Sequence, residues 1–369
     1  MALQSVAVNA SSPATWLQPG EEREWDEFVA THPLGLIYHT SAWQRVLQGA
    51  FPHIQGRFLV LRGADGRIQA GLPVYRVHSW LLKDRTVSVP FATICEPLVS
   101  SREQSLLLWP AIEEMARQNR SKRVEIRARS PQAANLPEAM SVGRTYWHHY
   151  IVLDKPPEKL LRTFHDSCIR RRMRKAEADG VTCAEDNSEQ GLHELYQTMV
   201  STRIRLLLPP MPFAFFQAMV RELVPRYGSI YLSRRNGKTM GAMLAIKHKG
   251  LWMSEYSGHQ ESAPAGSDQL LYWHVIQQAQ QSGATVFSFG RTSLDNEGLV
   301  LYKRRWGTTE EMLADYFFDP RAARQPAPAA EAAAPRPLPH AVYSAARLMQ
   351  YLPVNLQRTF GNFCYRHLG

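Results

Sequence analysis

The sequence predicts a mixed α/β chain built as two tandem units, and three observations carry that prediction. A pair of β-rich runs around a tight turn occurs twice, RFLVLRGADGRIQAGLPVYRV at 57–77 and SIYLSRRNGKTMGAMLAIKHKG at 229–250. Asp65-Gly66 and Asn236-Gly237 supply the positive φ that a short hairpin turn needs. After each hairpin comes a helix with the same apolar order: Leu106, Leu107, Trp109 and Ile112 fall on Leu270, Leu271, Trp273 and Ile276. Each helix then feeds a strand, RVEIRA at 123–128 and the FSFGR run at 287–291. So long a period is domain duplication, because solenoid repeats run about 20–50 residues. The chain, at 369 residues, is also longer than one core usually organises.

Taken in order, residues 1–19 read as a flexible N-terminus and 20–154 as the first unit. Residues 21–31 form a short helix. A second covers 38–51, capped by Thr40 or Ser41, with Trp43, Val46 and Leu47 inward. Residues 86–99 are extended. The helix at 103–118 contains Pro110, which belongs in its first turn or kinks it. The second unit, 155–318, opens with helices at 160–180, 193–207 and 213–228, the first of them rich in arginine. Its hairpin leads to a further strand, LWMSEYSG at 251–258. Ser267 and Asp268 offer N-cap oxygens to the next helix, and Gly283 ends it in a left-handed conformation. A strand around Val286, Phe287 and Phe289 follows, then a basic, aromatic helix. Residues 319–340, rich in Pro and Ala, read as a linker. The tail, 341–369, is aromatic and basic with no acidic residue.

Forty-three Lys and Arg against 33 Asp and Glu leave a formal charge of +10. That favours anionic partners, an envelope precursor or a nucleotide-linked substrate, with no DNA expected. The four cysteines lack paired spacing and read as reduced thiols of a cytoplasmic protein. No apolar run is long enough to span a bilayer. The tail suggests peripheral contact through 341–369 with the inner face of the membrane, or a helix pair docked on the protein. Gly237-Lys238-Thr239 imitates the end of a phosphate loop, but Leu232 stands where that loop needs Gly. No nucleophile elbow, zinc helix or dinucleotide fingerprint occurs, and no histidine spacing points to a metal.

The block FSFGRTSLDNEGLVLYKRRWG at 287–307 resembles the "DFGRS…G…FK..WG" block of the FemAB-like acyltransferases. These are tandem GNAT-fold proteins related to the peptidoglycan interpeptide-bridge aminoacyltransferases, with BioF-like and exosortase-associated members. YHTSAWQRVL resembles their N-terminal "FH…W" block and RRRMRKAEADGV their "R…RKA…G" block. The RxxLPPxPxxFF-like stretch at 205–216 fits the exosortase-associated branch. The similarity covers most of 25–318. Ser288 departs from an Asp of the family and Tyr302 from a Phe.

The resemblance implies acyl or aminoacyl transfer to a cell-envelope or polysaccharide precursor, with acyl-CoA or aminoacyl-tRNA as co-substrate and no tightly bound cofactor. The alternative is a non-catalytic binding subunit of a polysaccharide-export or exosortase-type system. Acyl transfer needs a base for the nucleophile and positive charge for the oxyanion. Lys303, matching the family's lysine, is the first catalytic candidate, with Arg291 beside it as a substrate-binding charge. Glu255, on the strand that often carries a general base in GNAT folds, is the second catalytic candidate. Strand alternation puts Glu255 and Tyr256 on opposite sides, so at most one of them faces a given cleft. Tyr302, Arg171 and Arg174 are further binding candidates; the arginines fit a solvated surface equally well. His39 and Trp43 lie one helical turn apart, which suits core packing or a substrate contact. The GNAT phosphate loop is missing from 259–267, although the following helix end offers free N–H groups to a phosphate.

Overall fold

Both predicted hairpins form in the computed structural model, which describes residues 13–129, 135–321 and 353–368. The first half contains β1 (Thr15–Trp16), α1 (Glu22–Thr31), α2 (Ser41–Ala50), β2 (Ile54–Arg62), β3 (Ile68–Val77), β4 (Arg85–Val87), α3 (Arg102–Gln118), β5 (Val124–Arg129) and β6 (Ser141–Val152). Then come α4 (Pro157–Thr163), α5 (Arg171–Ala178), β7 (Thr182–Glu185), α6 (Glu189–Arg205) and α7 (Phe213–Leu223). The second repeat is β8 (Gly228–Arg235), β9 (Lys238–His248), β10 (Leu251–His259), α8 (Ser267–Gln281), β11 (Val286–Ser293), α9 (Glu297–Arg304) and β12 (Thr309–Phe318). A last helix, α10, spans Val354–Tyr365. The expected linker and the start of the tail lie, from 322 to 352, outside the described residues.

Local chemistry accounts for the boundaries. Thr40 caps α2 by accepting from the Trp43 amide at 3.3 Å. Gly66 (φ 78°) turns the first hairpin, and Asn236 and Gly237 (φ 50° and 73°) turn the second. Gly283 (φ 78°) stops α8 as expected. The N-cap of α8 is Gly266, in a left-handed conformation, and neither Ser267 nor Asp268 caps it. Pro110 sits in the middle of α3, where it removes the donor to the Leu106 carbonyl. The helix expected over 160–180 breaks after Thr163, and a single wide turn at Asp166–Arg170 leads into α5. Residues 13–19 are not loose: Thr15 and Trp16 pair with Val60 and Leu59, and Arg57 lies over the Trp16 ring at 4.6 Å.

The twelve strands of the described residues join one sheet, ordered β1-β2-β3-β4-β5-β12-β6-β11-β10-β9-β8-β7. In each repeat a helix carries the chain to a parallel neighbour, α3 from β4 to β5 and α8 from β10 to β11. The closing strands then change places. β6, from the first half, pairs with β11 of the second, while β12 pairs with β5 of the first; β6 and β12 pair with each other at the centre. A larger core holds Trp43, Leu47, Tyr75, Phe215 and Leu232, drawing on both halves. A second core, with Phe164, Trp273, Ile276, Phe287 and Trp306, lies between α8 and the second repeat's strands. Burying an aromatic side chain of this kind contributes about 1.5–3 kcal/mol.

Candidate active site at two adjacent bulges

β10 and β11 pair only over Leu251–Met253 and Val286–Ser288. Beyond that point both strands are irregular. On β10, Ser254 opposes Ala245 and Tyr256 opposes Leu244, so Glu255 is an inserted residue. On β11, Ser288 opposes Tyr150 and Arg291 opposes His148, so one residue is again extra, and Gly290 adopts φ 69°. Bulges bend a strand and re-aim its side chains, and they concentrate beside active sites. Between these two lies a cavity of about 170 Å³ lined by Tyr38, Thr93, Ser254, Glu255, Ser288 and Arg291. It is large enough for a reacting amine and acyl carbon, with the rest of a substrate outside.

The bulge on β10 overturns the alternation argument. Glu255 accepts a hydrogen bond from the Tyr38 hydroxyl, and Tyr256 packs on Phe215 and Phe216 at 5.9 and 5.4 Å between ring centres. Tyr38 and both phenylalanines belong to the larger core, so Glu255 and Tyr256 face the same side. Burial pushes the Glu255 pKa up to about 7, against the opposing pull of the Tyr38 hydrogen bond and the Arg291 charge. A carboxyl group poised there suits a base working near neutral pH. Tyr38 is itself raised well above the usual tyrosine range, first by burial and then by the Glu255 charge.

Arg291 is fixed from behind. Its Nη1 donates to Asp315 Oδ1 at 3.1 Å, and its guanidinium lies 4.3 Å from the centre of the Tyr146 ring. Tyr146 donates in turn to Asp315 Oδ2 at 3.1 Å. A second chain of polar groups starts at Ser288, whose Oγ lies 2.7 Å from His148 Nε2 and accepts from the Gly290 amide at 3.0 Å. His148 Nδ1 is 3.5 Å from Glu311, which pairs with Arg129 at 3.1 Å; Arg129 also bonds Glu96. Thus β12 and β6, the exchanged strands, supply the groups that orient both walls of the cavity.

Several predicted site residues lie elsewhere. Lys303 is buried, and its Nζ donates to the carbonyls of Phe289, Gly290 and Arg291 at 2.6, 3.1 and 3.4 Å. Burial first, and the Lys303 charge second, hold His149 down to about 4. Lys303 thus bonds the backbone of three residues that line the cavity. It holds the carbonyls freed by the Gly290 bulge. Burial also pulls its own pKa down to about 7.

Tyr302 belongs to the second core and donates to Asp268 at 3.3 Å. His39 is fully buried, accepting from the Leu36 amide at 3.1 Å and lying 2.9 Å from the Glu96 carbonyl; Trp43 is fully buried beside Tyr38. Both are core residues, not substrate contacts. Arg171 and Arg174 are exposed and share Asp166 with Arg170, at 3.4, 3.7 and 3.1 Å respectively. The N-cap of α8 packs closely on α5: a Cβ built on Gly266 would stand 2.0 Å from the Arg172 carbonyl oxygen.

The structure thus brings together Glu255 and Arg291, with Tyr256 adjoining, and adds Tyr38, Ser288, His148 and Asp315. Of these, Ser288 stands at the acid position of the "DFGR" block, and Tyr38 is the neighbour of the His39 singled out from the sequence. Nothing in the sequence marks Asp315. Among the described residues no three His, Cys, Asp or Glu side chains are grouped as a metal would require. None of the described helices is long and apolar enough to cross a membrane.

Comparison with known proteins agrees with this architecture. Residues 165–304 match the acetyltransferase (GNAT) domain family. No curated protein sequence matches the chain. Among solved structures, FemX superposes with a TM-score of 0.67 at 15% identity, over 84% of this chain and 97% of that one. A tandem GNAT protein from the clavulanic acid biosynthesis pathway gives 0.56 at 12% identity, over 84% and 99%. The C-terminal domain of a predicted lysylphosphatidylglycerol synthetase from Agrobacterium fabrum gives 0.51 at 13% identity, over 80% and 91%. The chain has the tandem GNAT fold.

Proposed function

We propose that this protein is an acyltransferase that moves an acyl or aminoacyl group from an activated ester or thioester to an amino group of a cell-envelope precursor, with Glu255 as base. The observation that carries the reading is Glu255 itself. It is an inserted bulge residue facing a small cavity, held by Tyr38 and poised near neutral pH by burial. Glu255 takes a proton from the acceptor ammonium. The freed amine nitrogen bonds to the acyl carbon, and Arg291 offsets the negative charge that forms on the acyl oxygen. As the tetrahedral intermediate collapses, the bond to the donor oxygen or sulfur breaks, the leaving group takes up the proton held by Glu255, and the second surplus proton of the nitrogen passes to solvent.

GNAT domains use acyl-CoA as co-substrate. Here the phosphate loop is absent from 259–267, which weighs against a pyrophosphate at the α8 end. The neighbouring arginines, three of which share one aspartate, favour a polyanionic donor, aminoacyl-tRNA first. The names FemX and lysylphosphatidylglycerol synthetase lend support to the envelope setting. The stretch at 205–216 supports the exosortase-associated branch of the FemAB-like family.

The test is mass spectrometry of envelope precursors from cells lacking the protein, complemented with the wild type or with Glu255→Gln. The reading expects a modified precursor that only the wild type restores. Full restoration by Glu255→Gln would refute the base, and an unchanged precursor pool would favour a binding subunit. Thermal stabilisation by charged tRNA and not by acyl-CoA would settle the donor.

A further inference from the structure

The tail helix is apolar on two sides. Gln357, Gly361 and Tyr365, four residues apart, turn inward and are buried. A Cβ on Gly361 would stand 2.1 Å from the Pro210 carbonyl oxygen, so α10 touches the body backbone to backbone. Tyr365 stacks near Phe51 and Phe91, at 6.4 and 5.5 Å between ring centres. The outer side carries Leu356 and Phe363, seven residues apart and both exposed, with Val354 exposed at the start of the helix. The docking reading of the tail therefore holds for 353–368, yet it leaves an uncovered apolar face.

That face continues onto the first half of the chain. The loop after β3 carries Trp80, Leu81 and Leu82, which are 72%, 54% and 44% exposed. It is locked to the end of the tail: Ser79 Oγ lies 3.0 Å from His367 Nδ1, Arg85 donates to the His367 carbonyl at 3.2 Å, and His53 Nε2 is 3.2 Å from the Leu368 carbonyl. His367 sits edge-on between Trp80 and Phe363, at 5.0 and 5.2 Å. Trp80, Leu81, Leu82, Phe363 and Leu368 thus form one patch gathered from the loop after β3 and from the tail.

Its charge says what covers it. Exposed Lys83 and Arg366 flank the patch, and the tail has no acidic residue. The one acid of the loop, Asp84, is occupied by Arg76 at 2.6 Å and His78 at 2.7 Å. A tryptophan and leucines framed by cations, with no free acid, match the boundary between lipid headgroups and acyl chains. A second copy of the same positively charged face would be repelled by it.

We infer that the Trp80 loop and the outer face of α10 form a docking surface for a bilayer rich in anionic phospholipid. The patch holds the protein at a membrane as a preassembled surface. It works independently of the chemistry at Glu255.

Flotation of the full chain with vesicles of equal parts phosphatidylglycerol and phosphatidylcholine, and with vesicles of phosphatidylcholine alone, tests this. The wild type should float with the first and about tenfold less with the second. Trp80→Ser combined with Leu81→Ser should cut flotation at least about tenfold at unchanged Tm, since both residues are solvated in the free protein. Lys83→Glu with Arg366→Glu should cut it as far and remove no apolar surface. Absence of wild-type flotation, or equal flotation of wild type and variants, would overturn the inference. A wild-type dimer in sedimentation that the serine variant dissolves, with no flotation, would assign the patch to a second copy and overturn it as well.

Discussion

Replacing Glu255 by Gln should raise stability at alkaline pH and leave it little changed in acid. In the folded protein the carboxyl group keeps its proton up to about pH 7, whereas an unfolded glutamate releases it near 4.5. Between these values the folded state binds more protons than the unfolded state, so stability falls as pH rises. The full cost of the buried charge is reached above pH 7 and is absent below 4.5. The interval of roughly 2.5 units corresponds to at most about 3 kcal/mol at 1.36 kcal/mol per unit. Water reaching the half-buried carboxylate reduces that figure, so a difference of about 1–3 kcal/mol is expected. Gln keeps the shape and an acceptor for Tyr38, and any loss at that hydrogen bond is the same at every pH. The assay is thermal or urea unfolding of wild type and variant at pH 5 and pH 8. The variant should gain on the wild type between the two, while losing acyl transfer. An identical difference at both pH values would refute the perturbed carboxyl group and with it the base.

Three further outcomes follow from the placement of single residues. Lys303→Met should lower stability by about 1–3 kcal/mol, because three carbonyls on the Gly290 bulge lose their donor; lost activity at unchanged unfolding would instead make Lys303 a group that touches substrate. Trp43→Ala should cost about 3–5 kcal/mol in urea unfolding, as a fully buried aromatic, whereas a substrate contact would show as a raised KM with stability intact. Gly361→Val should lift α10 off Pro210, read as new protease cleavage near residue 353; an unchanged digest would mean the helix is held by its ends alone.

The parts of this molecule that depend on neighbouring residues were readable in the sequence. The Asp65-Gly66 and Asn236-Gly237 turns, the stripe of α8 and the stop at Gly283 are local, and the structure keeps them. Glu255 and Arg291 were legible because strand and block fixed their places. The rest is tertiary. A bulge adds one residue against a partner strand, so the shared orientation of Glu255 and Tyr256 depends on β9, which the alternation rule cannot see. Lys303, among Arg304, Arg305 and Trp306, reads from the block as a catalytic charge, yet the structure sets it on carbonyls at the β11 bulge. Tyr38 meets Glu255 across 217 residues of chain. Asp315 lies on a strand that passes into the other half of the sheet, with no local mark of that journey.

The exchange of β6 and β12 makes the protein a single-chain analogue of a domain-swapped dimer, each half closing the other's sheet. Neither half can then be cut away as an autonomous piece. A fragment ending before Thr309 leaves the Val124–Arg129 edge open, the kind of unpaired strand that invites aggregation. During synthesis the first half must likewise wait: β5 has no partner on this edge until β12, which carries Asp315, has left the ribosome. Because Asp315 also braces Arg291, the last strand to arrive both seals the sheet and sets the charge in the cavity. Assembly of the site is therefore tied to completion of the chain, and a half-made molecule has no competent cavity to misuse a donor.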